Sequence, residues 1–127
     1  MKSAIASEHA PKAIGPYSSA LRAGRLIFIS GQVPADPATG SLVDGPIDVQ
    51  TCRVLDNIKA LLTAAGLTLA HVVRTTVFLA DMDDFAAMNA AYRGYFSEPF
   101  PARSTIQAAR LPRNARVEID AIASDDA

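Results

Sequence analysis

The sequence has one cysteine, two histidines and no tryptophan among its 127 residues. A single thiol, Cys52, excludes an intramolecular disulfide and a cysteine-based metal cluster, and it suits a reducing, cytoplasmic setting. His9 and His71 are too few for a His-rich metal site. An excess of charge is also missing. Twelve basic and thirteen acidic residues leave a net charge of -1, whereas nucleic-acid and membrane-surface binders usually carry a basic surplus. The longest uncharged apolar stretch, residues 60–70, falls short of the about 18 residues of a membrane span and is broken by Gly66. The opening residues show no apolar signal-peptide core. What remains is 50% hydrophobic and 20% charged, which excludes a disordered chain. A single domain of this length buries roughly 65–70% of its unfolded surface, enough for one core.

Periodicity sets the expected elements. Residues 26–30 form a β-branched and aromatic run that reads as a buried strand ended by Gly31. A weaker strand over 18–22 precedes it, with Ala23-Gly24 as the hairpin turn. Cys52, Leu55, Ile58, Leu62 and Ala65 recur every three or four residues, so a helix spans 49–65, with Asp48 as N-cap and Gly66 just past its end. Residues 72–80 alternate as a strand. Val73, Thr75, Val77 and Leu79 are expected on one face, and Val72, Arg74, Thr76 and Phe78 on the other. A second helix carries Phe85, Met88, Tyr92, Tyr95 and Phe96 as its apolar stripe, opens on an Asp81–Asp84 capping box, and stops before Pro99 and Pro101. Strands over 102–109 and 116–123 close the chain. The order β-β-α-β-α-β-β implies an α+β domain over 1–127, with both helices on one face of the sheet. The other face then calls for cover, which oligomerisation supplies when that face is apolar.

The short 111–114 connection suggests that the last two strands pair as an antiparallel hairpin. Gln107 would then face Glu118, and Arg103 would face Ile122. Arg103, Thr105, Gln107, Glu118 and Asp120 would project from one side. Arg103 and Glu118 would stand about 13 Å apart along the strands at a rise near 3.3 Å per residue, bracketing a small molecule. A guanidinium binds a carboxylate bidentately, and a glutamate beside a water relays protons. The competing reading is solvated charge on an exposed sheet face.

Six blocks in order resemble the Rid family of reactive-intermediate deaminases, also called YjgF-type or endoribonuclease L-PSP-type proteins, and most of all its RidA branch. They are Ala13-Ile14-Gly15-Pro16-Tyr17-Ser18; Phe28-Ile29-Ser30-Gly31-Gln32-Val33-Pro34; Thr75-Thr76-Val77-Phe78-Leu79 with Asp81-Met82-Asp83-Asp84-Phe85; Met88-Asn89 with Tyr92; Pro101-Ala102-Arg103-Ser104-Thr105; and Val117-Glu118-Ile119. The resemblance implies a chorismate-mutase-like fold assembled as a homotrimer with a barrel-like centre and clefts between subunits. It implies hydrolysis of 2-imino acids (2-iminobutanoate, 2-iminopropanoate) or their enamines to 2-keto acids and ammonia, with no metal or organic cofactor. Carried over by position, Arg103 would bind the substrate carboxylate and Glu118 would position or activate the water. Tyr17, Ser30 and Gly31 would line the cleft, with Asn89 near it. Thr105 stands where many members have cysteine, which speaks against an obligatory thiol nucleophile, although its backbone groups would still contact the ligand.

Bland roles stand beside these. Tyr17 also suits an interface, Ser30 a turn, and Asn89 a solvated helix face. Cys52, His71, Met82 and Met88 read as structural, and Arg110 and Arg113 as surface or cleft-rim charge. Other functions keep the same site: deamination of a different enamine such as 2-aminomuconate, or a regulatory module that binds small carboxylates. An endoribonuclease fits poorly with the near-neutral charge and the lack of a His acid–base pair.

Overall fold

The computed structural model describes residues 1–127. Its strands are β1 (Lys2–Ile5), β2 (Ala20–Ala23), β3 (Leu26–Gln32), β4 (Val72–Leu79), β5 (Ala102–Gln107) and β6 (Val117–Ser124), and its helices are α1 (Ile47–Ala64) and α2 (Phe85–Arg93). The first strand was not expected. It is short and exposed, and it pairs with β2 as an edge. One mixed six-stranded sheet runs β1-β2-β3-β6-β4-β5, and both helices cover one face.

The core explains that layering. Ile27 and Ile29 of β3, Val77 and Leu79 of β4, and Val117, Ile119 and Ala121 of β6 meet Val54, Leu55, Ile58, Leu61 and Leu62 of α1 and Met88 and Tyr92 of α2. Alternate strand residues supply the buried face, as the period of two requires. The opposite face keeps Leu26, Phe28 and Ile106 at 39%, 40% and 48% exposure, an apolar surface with nothing over it in the single chain.

Helix ends differ from expectation in detail. α1 begins after Pro46, whose φ of -68° suits a helix entry, and Asp48 lies inside the first turn rather than at the cap. There its charge complements the helix dipole. Gly66 follows the helix with φ of +80°, the left-handed conformation glycine adopts at little cost. Asp81 accepts a hydrogen bond from the Asp83 amide at 2.9 Å. Asp84 does not close a capping box. It takes the charge-assisted bond from Arg116 at 3.0 Å instead, the stronger interaction. Because α2 ends at Arg93, Tyr95 and Phe96 lie beyond its stripe, and the Tyr95 hydroxyl donates to Asp56 at 2.8 Å. A bulge between Val72 and Arg74 inverts the start of β4, so Val72 is buried and Val73 exposed.

The expected hairpin of the last two strands does not form. β4 lies between them, parallel to β5 and antiparallel to β6. The connection buries Leu111 and Ala115 and bends through Arg113 and Asn114 at φ of 58° and 59°. It is anchored to the body of the protein as it crosses β4, about two strand spacings of roughly 4.8 Å each.

Asn57 ties this core to a loop used below. It is fully buried, its amide donates to the carbonyls of Ala35 at 2.9 Å and Val33 at 3.3 Å, and its oxygen accepts from Arg53 at 2.9 Å. Asn57→Ala strands the buried Ala35 carbonyl, whereas that of Val33 keeps the Ala35 amide at 2.8 Å, so we expect a loss of about 1–3 kcal/mol in urea unfolding, the cost of a buried polar group left unsatisfied.

Candidate active site

Strand order decides where each candidate residue points. Thr75 of β4 aligns with Arg103 on one side and Ala121 on the other. Arg103 therefore faces the helices. Phe78 aligns with Ile106 and with Glu118, so Glu118 projects from the opposite face. The expectation that Arg103, Thr105 and Gln107 share a side with Glu118 and Asp120 is thus corrected. Within one chain the arginine and the glutamate belong to two separate hollows.

The first hollow is a cleft of about 590 Å³ that gathers Tyr17, Ser30, Gly31 and Glu118, with Lys12 and Arg113 at its walls. It lies beside a second bulge, where Ser30 and Gly31 fall between the Ile29–Ala121 and Gln32–Ile119 pairs. Bulges re-aim the local chain, and this one brings the backbone of Gly31 against Glu118. A β-carbon at residue 31 would overlap the Glu118 carboxylate and fall 2.9 Å from its Cδ. Glycine there is therefore what lets the Glu118 carboxylate occupy this place, since any side chain would push it aside. The Ser30 hydroxyl donates to the Ser18 carbonyl at 2.6 Å, which leaves its oxygen free to accept. Tyr17 is half exposed, its ring packed over Gly15. The carbonyls of Val33 and Ala35, held by Asn57, fix part of the rim.

Glu118 is half-buried and no cation of the chain pairs with it. Burial raises its pKa above the ordinary carboxylate value, and the neighbouring Asp120 charge adds to the rise. Both effects disfavour the charged form. Such a carboxylate is a better base once ionised than one fully solvated.

The second hollow, about 230 Å³, is lined by Asn89, Tyr92, Arg93, Phe100, Pro101 and Arg103. The Arg103 guanidinium lies 4.8 Å from the Tyr92 ring centre and 5.8 Å from that of Phe85. Aromatic faces attract a cation at this range and restrict where it sits. Tyr92 is itself fixed, since its hydroxyl shares a 2.7 Å hydrogen bond with Thr75. Desolvation raises its pKa, while the Thr75 bond and the Arg103 charge oppose that rise. Arg103 has no carboxylate partner. Asn89 Oδ1 and Thr105 Oγ1 are buried without any hydrogen-bond partner. Buried polar atoms are nearly always satisfied, so the orphaned Asn89 oxygen in the lining, with the Thr105 hydroxyl two residues along the strand from the unpaired guanidinium, makes this hollow a candidate for a polar ligand.

Asn89 and Thr105 thus fall near Arg103, while Tyr17, Ser30 and Gly31 gather with Glu118. The aromatic platform under Arg103 was not foreseen. Phe85, Asn89 and Tyr92 do carry the three-and-four spacing of one helix face, but only the parallel pairing of β5 with β4 brings that face to Arg103. No group of three or more His, Cys, Asp or Glu side chains is placed to hold a metal ion.

Comparison with known proteins agrees with this architecture. The model of the family described as endoribonuclease L-PSP matches residues 7–125. The chain belongs to that family, the Rid proteins. A RutC family protein of Pyrococcus horikoshii is 54% identical over 97% of this chain and 98% of its own length. An Escherichia coli protein named 2-iminobutanoate/2-iminopropanoate deaminase is 47% identical over 97% of this chain and 98% of its own. The crystal structure of E. coli TdcF with bound serine superposes with a TM-score of 0.91 at 40% identity, covering 96% of this chain and 98% of that one. The Rid fold of two helices on a mixed sheet is therefore shared along nearly the whole length.

Substitutions at two positions test the site's construction. Gly31→Ala should displace the Glu118 carboxylate while the fold persists, as a crystal structure of the variant would show. Tyr92→Leu should free Arg103 from its platform, whereas Tyr92→Phe keeps the ring and should leave the guanidinium in place.

Proposed function

We propose that this Rid protein is a hydrolytic deaminase of small 2-imino acids, such as 2-iminobutanoate and 2-iminopropanoate, or their enamine tautomers. The observation that carries the reading is the unpaired Arg103 guanidinium on its aromatic platform, with unsatisfied Asn89 and Thr105 atoms nearby. A small carboxylate supplies the partner it lacks, and the Thr105 hydroxyl can donate to the same group. The deaminase name of the E. coli relative and the serine in TdcF, a small amino acid, point the same way.

The chemistry then needs a water and a base. The imine carbon is electrophilic. With the imine nitrogen protonated, water oxygen bonds to the carbon as Glu118 takes one water proton and the C=N π pair passes to nitrogen, giving a carbinolamine. Glu118 returns that proton to the amino nitrogen and then takes the hydroxyl proton as the C–N bond breaks, ammonia leaves and the C=O bond forms. A positioned base contributes typically about 10²–10⁴-fold, and fixing the carboxylate orients the carbon. Tyr17 and Ser30 hold substrate or water.

Arg103 and Glu118 lie on opposite faces of the sheet, so one substrate meets both only if two copies share a cleft. The exposed Leu26, Phe28 and Ile106 face supports such an assembly, and we assign it as a homotrimer with the open sheet faces turned to a common centre. A site closed in this way has no call for a nucleic acid or a membrane, and we place the protein in the cytoplasm. A binding module for small carboxylates would use the same Arg103 hollow without turnover.

The decisive assay generates the imine with a serine or threonine dehydratase and traps what remains with semicarbazide. The protein should speed imine loss; ligand binding without faster loss would favour the binding module. Arg103→Ala should lower kcat/KM about 10²-fold or more, the scale of lost charge-assisted bonds, with the sedimentation of the assembly unchanged. The acid limb of the pH–rate profile should lie above the ordinary carboxylate range, because Glu118 must lose its proton to act. Asp120→Asn removes a charge that raises the Glu118 pKa, so that limb should move to lower pH.

A further inference from the structure

The hollow around Arg103 is lined by a second arginine. Arg93, the last residue of α2, lines the same space, and none of the other lining residues is acidic. Arg93 is exposed and forms no ion pair within the chain. Two like charges bordering one small space raise each other's energy, and an anion between them lowers it. One carboxylate fills the fork of one guanidinium. A molecule with two acidic groups can engage both.

We propose that Arg93 is a second anion-binding residue of this site and that it selects 2-imino acids whose side chain ends in another carboxylate, the class formed from acidic amino acids. The inference rests on the reading of Arg103 as the group that holds the first carboxylate. Phe100 and Pro101 give the hollow an apolar wall against which a short methylene side chain packs. Asn89 Oδ1, an acceptor without a donor, suits the imine or ammonium N–H of the same ligand. Arg93 also complements the C-terminal end of the α2 dipole. A cation serving only that purpose would affect every substrate alike, so a comparison of substrates separates the two roles.

The test measures kcat/KM for the imines that amino-acid oxidases release from aspartate and from alanine, in wild type, Arg93→Ala, Arg93→Lys and Arg93→Glu. The dicarboxylate-to-monocarboxylate ratio should fall about five-fold in Arg93→Ala, the upper scale of an exposed ion pair. It should be kept in Arg93→Lys and fall further in Arg93→Glu. A ratio unmoved by Arg93→Ala, or equal losses on both substrates, overturns the role of Arg93. If the wild type hydrolyses neither imine, the deaminase reading fails instead. Calorimetry with succinate and propionate then reads Arg93 directly, and an affinity ratio identical in wild type and Arg93→Ala sinks the proposal.

Discussion

The position of β4 between β5 and β6 is the constraint on which the site depends. Hydrogen bonding to both neighbours fixes the register, and register fixes the faces. Arg103 is thereby committed to the helix side, where aromatic rings of α2 receive it. Glu118 is committed to the open side, where a bulged β3 makes room. A single slip of either strand would exchange these environments.

The two hollows differ in what they lack. Around Arg103 there is cation and aromatic surface but no anion. Around Glu118 the cations Lys12 and Arg113 line the walls but form no ion pair with it, and burial makes its ionised form costly. An anionic group would relieve the first deficit, and a cationic group or a proton the second. Proteins seldom leave such groups unsatisfied without a ligand or partner in view. Gly31 and Asn57 belong to the same economy of space, one by having no side chain and the other by holding carbonyls that would otherwise be free to move the rim.

Much of this was legible before coordinates. The helix over 49–65, the strand over 26–30, the alternation of Thr75, Val77 and Leu79, and the cover of both helices on one face all follow from periodicity. Strand pattern singles out Arg103, Thr105 and Glu118 as candidates, and the resemblance to the Rid family adds Tyr17, Ser30, Gly31 and Asn89. Their mutual placement was not legible. A short connection between two strands suggests a hairpin because adjacent strands are the commoner outcome, and nothing local in residues 108–116 announces that β4 intervenes. The aromatic support of Arg103 was hidden for the same reason. Tyr92 and Phe85 read as core from their spacing, and Tyr92 is indeed buried, but its second task depends on a strand far along the chain. Asp84 shows how a local motif loses to a distant charge, since Arg116 offers a stronger bond than its own helix start.

Thr105 carries a consequence for durability. The position beside Arg103 is filled by a hydroxyl, and the chain's sole thiol, Cys52, sits on α1 away from both hollows. Peroxide and related oxidants convert exposed thiolates stepwise to sulfenic and higher acids, whereas an aliphatic alcohol is inert to them. A cell under oxidative stress would find no sulfur lining either hollow to burn, whereas a thiol at position 105 would be exposed to that damage.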